Sequence, residues 1–242
     1  MIPDVTKLVS GMKAAWPTRP LALMIALLAI GTLAFLYIAH EVGEASFEQL
    51  DARLLLMFRN PADLSDPIGP PWLAESVLEI TALGGYTLII AVMLAAIGLL
   101  VVARREGPAL FVFLSIFSGW LMSSLLKSFY ARPRPDLVPQ LDLVHTASFP
   151  SGHATMSTVC YLTLAIVIAR LTDNTRIRVY VVAVAILVSI AVGLSRVYLG
   201  VHWPSDVLAG WALGAAWAAL SWLVVSLLRR RRKATTQEVE RR

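Results

Sequence analysis

Charge is what this sequence has least of. Asp, Glu, Lys and Arg make up 15% of its 242 residues, where a soluble domain carries about a quarter. Six stretches have none at all: Leu21–Ala39, Ile80–Ala103, Pro108–Leu126, Ser151–Ala169, Val179–Ser195 and Val207–Leu228. A spanning helix needs about 20 mostly apolar residues. Two stretches fall slightly short, and their flanking Arg side chains can snorkel to make up the difference. The runs are continuous, which excludes the alternating pattern of a membrane β-barrel. Cysteine is almost missing too. The single Cys160 cannot form an internal disulfide, and it leaves the redox compartment undetermined. With four His and one Cys, no ligand-like spacing points to a metal site. There is no internal repeat and no low-complexity segment. The expected fold is an all-α membrane protein, a bundle of six transmembrane helices with no separate soluble domain.

The scarce charges are unevenly placed. Lys7, Lys13 and Arg19 precede the first span; Arg104 and Arg105 follow the second. Arg170, Arg176 and Arg178 join the fourth and fifth, and Arg229 to Arg232 with Lys233 follow the sixth. On a six-span zigzag all of these fall on one side, which the positive-inside rule makes cytoplasmic. Both termini are then inside. The basic tail reads as a topology anchor near anionic headgroups rather than a nucleic-acid patch. No small-residue cleavage site follows the first apolar stretch, so it is expected to be a retained helix rather than a signal peptide. The expected organisation is a cytoplasmic segment 1–20, a six-span domain 21–228 and a disordered basic tail 229–242.

The longest outer connection, His40 to Glu79, contains "FEQLDARLLLMF". Phe47, Leu50, Leu54 and Phe58 recur there at helical spacing, opposite Glu48, Asp51 and Arg59. That pattern predicts a short amphipathic helix along the membrane interface. "NPADLSDPIGPPW" reads as a breaker-rich loop. "WLAESVLEI" starts a short helix, with Gly84-Gly85 before or inside the second span.

Three polar stretches sit at outer helix mouths: Lys127–Pro135 ("KSFYARPRP"), Pro150–His153 ("PSGH") and Ser195–Asp206 ("SRVYLGVHWPSD"). They are far apart in sequence but share one side of the zigzag. Lys127, Arg134 and Arg196 supply cations, and Ser151 a hydroxyl. The backbone N–H groups around Ser151, Gly152 and His153 open a helix, where four donors lack partners and anions bind readily. Gly152 allows close approach of a ligand. Arg grips phosphate with two parallel hydrogen bonds and Lys acts as a point charge. This set can hold a phosphate dianion without a metal or other cofactor. His202 and Asp206 are four residues apart, so the carboxylate can orient the imidazole through Nδ1 and leave Nε2 to attack phosphorus. His153 is then the general acid for the leaving oxygen and later the base for water.

These motifs, Lys127 with Arg134-Pro135, "PSGH" and "SR-VYLGV-HWPSD", resemble the tripartite signature of the type-2 phosphatidic acid phosphatase superfamily. The resemblance extends to the six-span layout over most of Leu21–Leu228. It implies a helical bundle with its site at the outer membrane face. It also implies His202 as nucleophile, His153 as acid/base and Asp206 as orienter, with Lys127, Arg134, Ser151, Gly152 and Arg196 binding phosphate. Arg132 lies outside the signature. The implied activity is removal of a terminal phosphate from a phospholipid or polyprenyl phosphate, at the periplasmic face of the inner membrane, through a phosphohistidine. Undecaprenyl diphosphate, phosphatidylglycerol phosphate, phosphatidic acid and a lipid A phosphate are all candidate substrates. Two other readings use the same cradle. One is a haloperoxidase-like vanadate enzyme, which six spans disfavour. The other is a transporter or lipid-binding protein with a noncatalytic cradle, which would carry broken helices at mid-membrane depth.

Overall fold

The charge-free stretches become helices in the computed structural model, which describes the backbone of residues 18–240 and the side chains of residues 21–228. In chain order the elements are α1 (Thr18–Gly43), α2 (Glu48–Leu56), β1 (Arg59–Asn60), β2 (Asp63–Pro67), α3 (Pro71–Ala82), α4 (Tyr86–Val102), α5 (Glu106–Tyr130), α6 (Gly152–Leu171), α7 (Thr175–Tyr198) and α8 (Pro204–Glu240). Five of the helices are long and apolar enough to cross a membrane. A sixth span arises only if α3 and α4 are counted as one, bent by 47° at their junction. The expected second span, Ile80–Ala103, is therefore divided. The break falls at Leu83–Gly85, where Gly85 adopts an extended conformation before α4 restarts.

Two further expectations are corrected. The breaker-rich loop contains a short antiparallel ladder, Arg59–Asn60 against Asp63–Pro67, so the fold is helical with one small hairpin. The tail expected to be disordered continues α8 as far as Glu240; Arg, Lys and Ala in Arg229–Ala234 are good helix formers. The side chains of that tail, and almost all of the expected cytoplasmic segment 1–20, lie outside the described residues.

Helix α6 is the centre of the bundle. It packs on α5, α7 and α8, and α8 in turn packs on α1. The α6–α8 contact depends on two glycines one turn apart. A Cβ on Gly210 would stand 2.9 Å from both Ala154 Cβ and Ser151 O, and one on Gly214 would stand 2.8 Å from Thr155 O. Small residues at this spacing let two helix backbones meet, as membrane helix pairs require. Outward-facing residues such as Leu33, Leu99, Phe129 and Leu187 are exposed and apolar, as a lipid-facing surface must be. Helix α2 departs from a simple apolar-inside pattern. Leu50 and Leu54, with Met57 just past its end, face outward, while Asp51 and the neighbouring Arg59 are buried together with Leu55.

Candidate active site

Four helix ends meet where α5 and α7 finish and α6 and α8 begin. Helix α5 stops at Tyr130 because Ala131 turns left-handed, at φ 45°, and Pro133 and Pro135 bar any resumption of the helix. Ser151 caps α6. Gly200, at φ 71°, turns the chain out of α7, a conformation that favours glycine. Pro204 then opens α8 at a position where its missing N–H costs nothing.

His202 lies in the turn between α7 and α8, and Asp206 in the first turn of α8. Asp206 Oδ2 is 3.4 Å from His202 Nδ1. The same oxygen accepts the Trp203 backbone N–H at 2.9 Å and the Ser148 hydroxyl. A carboxylate reaching back to the N–H that starts its own helix is half of a capping box. With the proton on Nδ1, the Nε2 lone pair points to Arg134 Nη1, 3.3 Å away. Arg134 is fixed by Val201 O at 2.5 Å and Thr146 O at 2.8 Å. Lys127 Nζ donates to the adjacent Ala147 O at 2.7 Å. A Cβ on Gly152 would lie 3.2 Å from both Lys127 Cε and the Tyr86 hydroxyl, so glycine eases the close passage of Lys127 across the start of α6. His153, the next residue, backs onto Gly84 at the α3–α4 break, where its Cβ would be 3.2 Å from an added Gly84 Cβ.

Arg196 is fully buried. Its Nη1 pairs with Asp142 at 2.7 Å and the Thr81 hydroxyl at 2.8 Å. Its Nε and Nη2 are buried with no hydrogen-bond partner. A buried guanidinium with two unused donors is costly unless an anion completes it. Ser151 differs from expectation in one respect: its backbone N–H is taken by Asp206 O at 3.0 Å. The donors left at this helix start are those of Gly152 and His153, where intrahelical partners are lacking.

The electrostatics reflect the crowding. Burial holds the His202 imidazole well below its ordinary range, and Lys127, Arg134, Arg196 and His153 push the same way. Burial, followed by Arg196, lowers Arg134 to about 10, so it remains a cation at neutral pH. All eight residues singled out in the sequence therefore gather at one end of the bundle. Four that were not singled out belong with them: Ser148 on Asp206, Asp142 and Thr81 on Arg196, and Tyr86 beside Gly152. Their partners are 54 or more residues away for Ser148, Asp142 and Thr81, so no local spacing announces them. Among the described residues, no three His, Cys, Asp or Glu side chains group as metal ligands. The donor set here is cationic and suits an anion.

The PAP2 superfamily profile matches residues 108–230, which carry all three motifs. Phosphatidylglycerophosphatase B of Bacillus subtilis (strain 168) is 33% identical over 150 residues, 61% of this chain and 72% of the relative. A lipid A 1-phosphatase of Rhizobium johnstonii is 36% identical over 143 residues, 52% of this chain and 54% of that protein. The crystal structure of a transmembrane PAP2 type phosphatidylglycerolphosphate phosphatase from Bacillus subtilis superposes with a TM-score of 0.69 at 27% identity, covering 82% of this chain and 93% of that one. In motif, in helix arrangement and in the length of chain that matches, this multi-pass membrane protein belongs to the PAP2 superfamily.

Proposed function

We propose that this protein is a lipid phosphate phosphatase that works through a phosphohistidine. The observation that carries the reading is the two-sided setting of His202. One ring nitrogen faces the Asp206 carboxylate at 3.4 Å, and the other faces the Arg134 guanidinium at 3.3 Å. A phosphate held by Arg134, Lys127, the open donors of Arg196 and the N–H groups of Gly152 and His153 sits in front of Nε2. Nε2 bonds to phosphorus as the bond to the leaving oxygen breaks. His153 gives that oxygen its proton, so a lipid alcohol or lipid monophosphate departs. Asp206 stabilises the imidazolium at Nδ1. A water then attacks phosphorus, His153 takes its proton, the P–N bond breaks and inorganic phosphate leaves. The charge stabilisation that phosphoryl transfer demands comes from three fixed cations.

The substrate class follows from the relatives, which are named for lipid phosphates, and from a site at the ends of apolar helices. Phosphatidylglycerol phosphate, phosphatidic acid, undecaprenyl diphosphate and a lipid A phosphate fit this chemistry equally. We place the site at the outer face of the inner membrane with both termini cytoplasmic. In this arrangement α3 and α4 form one bent span, and α2 lies in the interface with Leu50, Leu54 and Met57 toward lipid.

The test is phosphate release by purified protein, in excess chelator, from a panel of lipid mono- and diphosphates. His202→Ala is expected to lower kcat at least about 1,000-fold and His153→Ala about 100-fold. Parental turnover by His202→Ala would remove the mechanism.

A further inference from the structure

Two arginines stand two residues apart in "ARPRP", and they face different tasks. Arg134 turns to the cradle. Arg132 pairs instead with carboxylates of α2 and α8. Its Nη1 meets Asp206 Oδ1 at 2.6 Å and the Ser205 hydroxyl at 2.8 Å. Its Nη2 meets Asp51 Oδ2 at 2.9 Å, and its guanidinium carbon lies 5.6 Å from the centre of the Trp203 ring. Both terminal nitrogens of Arg132 are thus engaged by protein groups. Asp51, from α2, is equally committed. Oδ1 accepts the Ser205 backbone N–H at 2.8 Å and Oδ2 the Ser205 hydroxyl at 2.5 Å. Ser205 is the second residue of α8, so Asp51 caps that helix from another element and satisfies a donor the helix cannot. The chain Asp51–Arg132–Asp206–His202 is 2%, 0% and 2% exposed at Asp51, Asp206 and His202. At 13% exposure the Arg132 side chain is nearly as enclosed.

We propose that Arg132 and Asp51 are positioning residues for the reaction above: Arg132 bridges the Asp51 and Asp206 carboxylates, fixing the orientation and the net charge that His202 feels. The proposal rests on His202 being the nucleophile. A lone Asp206 could rotate and would pull the imidazole toward its protonated form. Arg132 holds one oxygen and tempers the carboxylate's charge, which leaves Oδ2 aimed at Nδ1 and the Nε2 lone pair available. Asp51 in turn tempers Arg132 and ties both to the head of α8. The charged groups facing His202 are Lys127 of α5, Arg134 of the following loop, His153 of α6, Arg196 of α7 and Asp206 of α8. Those facing Arg132 are Asp51 and Asp206. This arrangement makes a signed prediction. Removing the Arg132 cation makes His202 easier to protonate; removing the Asp51 anion, with Arg132 in place, makes it harder.

The experiment measures kcat, KM and the acid limb of kcat/KM for the full chain in detergent. The probe is dioctanoyl phosphatidic acid or, where the parent turns it over faster, a polyprenyl diphosphate. Arg132→Gln is expected to lower kcat about 100-fold with KM changed less than about 3-fold, as loss of transition-state alignment does. It is also expected to raise the acid limb by about one pH unit. Asp51→Asn is expected to lower kcat about 10-fold and move the limb down by about half a unit. Arg132→Lys restores the limb but not the full kcat, because it keeps the charge and loses the fork. Limbs unmoved in both Arg132→Gln and Asp51→Asn, whatever happens to kcat, would overturn the proposal, since a merely structural role loosens the site without opposite shifts. Where Arg132→Gln does not fold, Asp51→Asn decides alone, a lowered limb supporting the proposal and an unmoved one overturning it. His202→Ala run alongside separates the two levels. Parental turnover by that variant overturns the phosphohistidine reading and this proposal with it. An inactive His202→Ala with unmoved limbs overturns this proposal only.

Discussion

The imidazole proposed to attack phosphorus must keep its lone pair, and the surroundings of His202 favour this. Burial comes first and four neighbouring positive or protonatable groups second, and both disfavour the imidazolium. A depressed folded-state value means the ring stays neutral as pH falls past the ordinary histidine range and is protonated only below it. The acid limb of kcat/KM, which reports the free enzyme, is therefore expected well below pH ~6.5. A pH–rate profile on a lipid whose own phosphate ionisation is known checks this, and a limb at or above the ordinary value would assign it to another group. The side chains that gather at the site were legible in the sequence because most are tied to a local signal: a histidine behind a helix cap, a histidine four residues before an aspartate, an arginine between prolines. Their supports were not. Asp51 meets Arg132 across 81 residues and Asp142 meets Arg196 across 54. In sequence each is only an acidic residue in a loop or on a polar helix face.

Among the elements, α6 and α8 must be held in one fixed register for the motifs at their starts to meet. Gly210 and Gly214 set it by removing side chains at the contact. The second motif hydrogen-bonds directly to the third through Ser151 N and Asp206 O at 3.0 Å. Gly210→Val is expected to push α8 off α6, costing about 1–3 kcal/mol of stability and lowering kcat more than KM rises. Gly98 faces open space, so Gly98→Ala is the matched control, expected to be close to neutral. Thermal unfolding in detergent with a parallel activity assay distinguishes the two. The spans could be read from missing charge, but the break between α3 and α4 could not be positioned. Two adjacent glycines permit a bend without demanding one. It is set by tertiary packing, where Gly84 meets His153 and Val192 of neighbouring helices. The hairpin escaped notice for a similar reason, since its strands of two and five residues are too short for any periodicity.

For the molecule as a whole, the proposed orientation follows from a charge asymmetry that the fold respects. Every helix end that contributes to the site points one way, and the basic connections Arg104–Arg105 and Arg170–Arg178 lie at the opposite ends of the same helices. The cations left at the site end are accounted for individually. Arg132 and Arg196 are paired with carboxylates. Lys127 and Arg134 are anchored on loop carbonyls beside His202. Arg59 is buried as well, which leaves the exposed Arg53 of α2 as a loose surface charge against the basic clusters at the opposite ends, so the positive-inside assignment stands. Thiol labelling in intact cells tests the orientation directly. The chain's one cysteine, Cys160, is buried, so a membrane-impermeant maleimide has little background to overcome. Leu143 is 88% exposed in the loop between α5 and α6, and Leu143→Cys is expected to react from outside the cell membrane. Asp173→Cys, at the opposite end between α6 and α7, is expected to react only after the membrane is opened. In a host with an outer membrane, the outer layer is first permeabilised so that the reagent reaches the periplasm. The reverse pattern would put the phosphate cradle on the cytoplasmic side and with it the lipid pool this protein can reach.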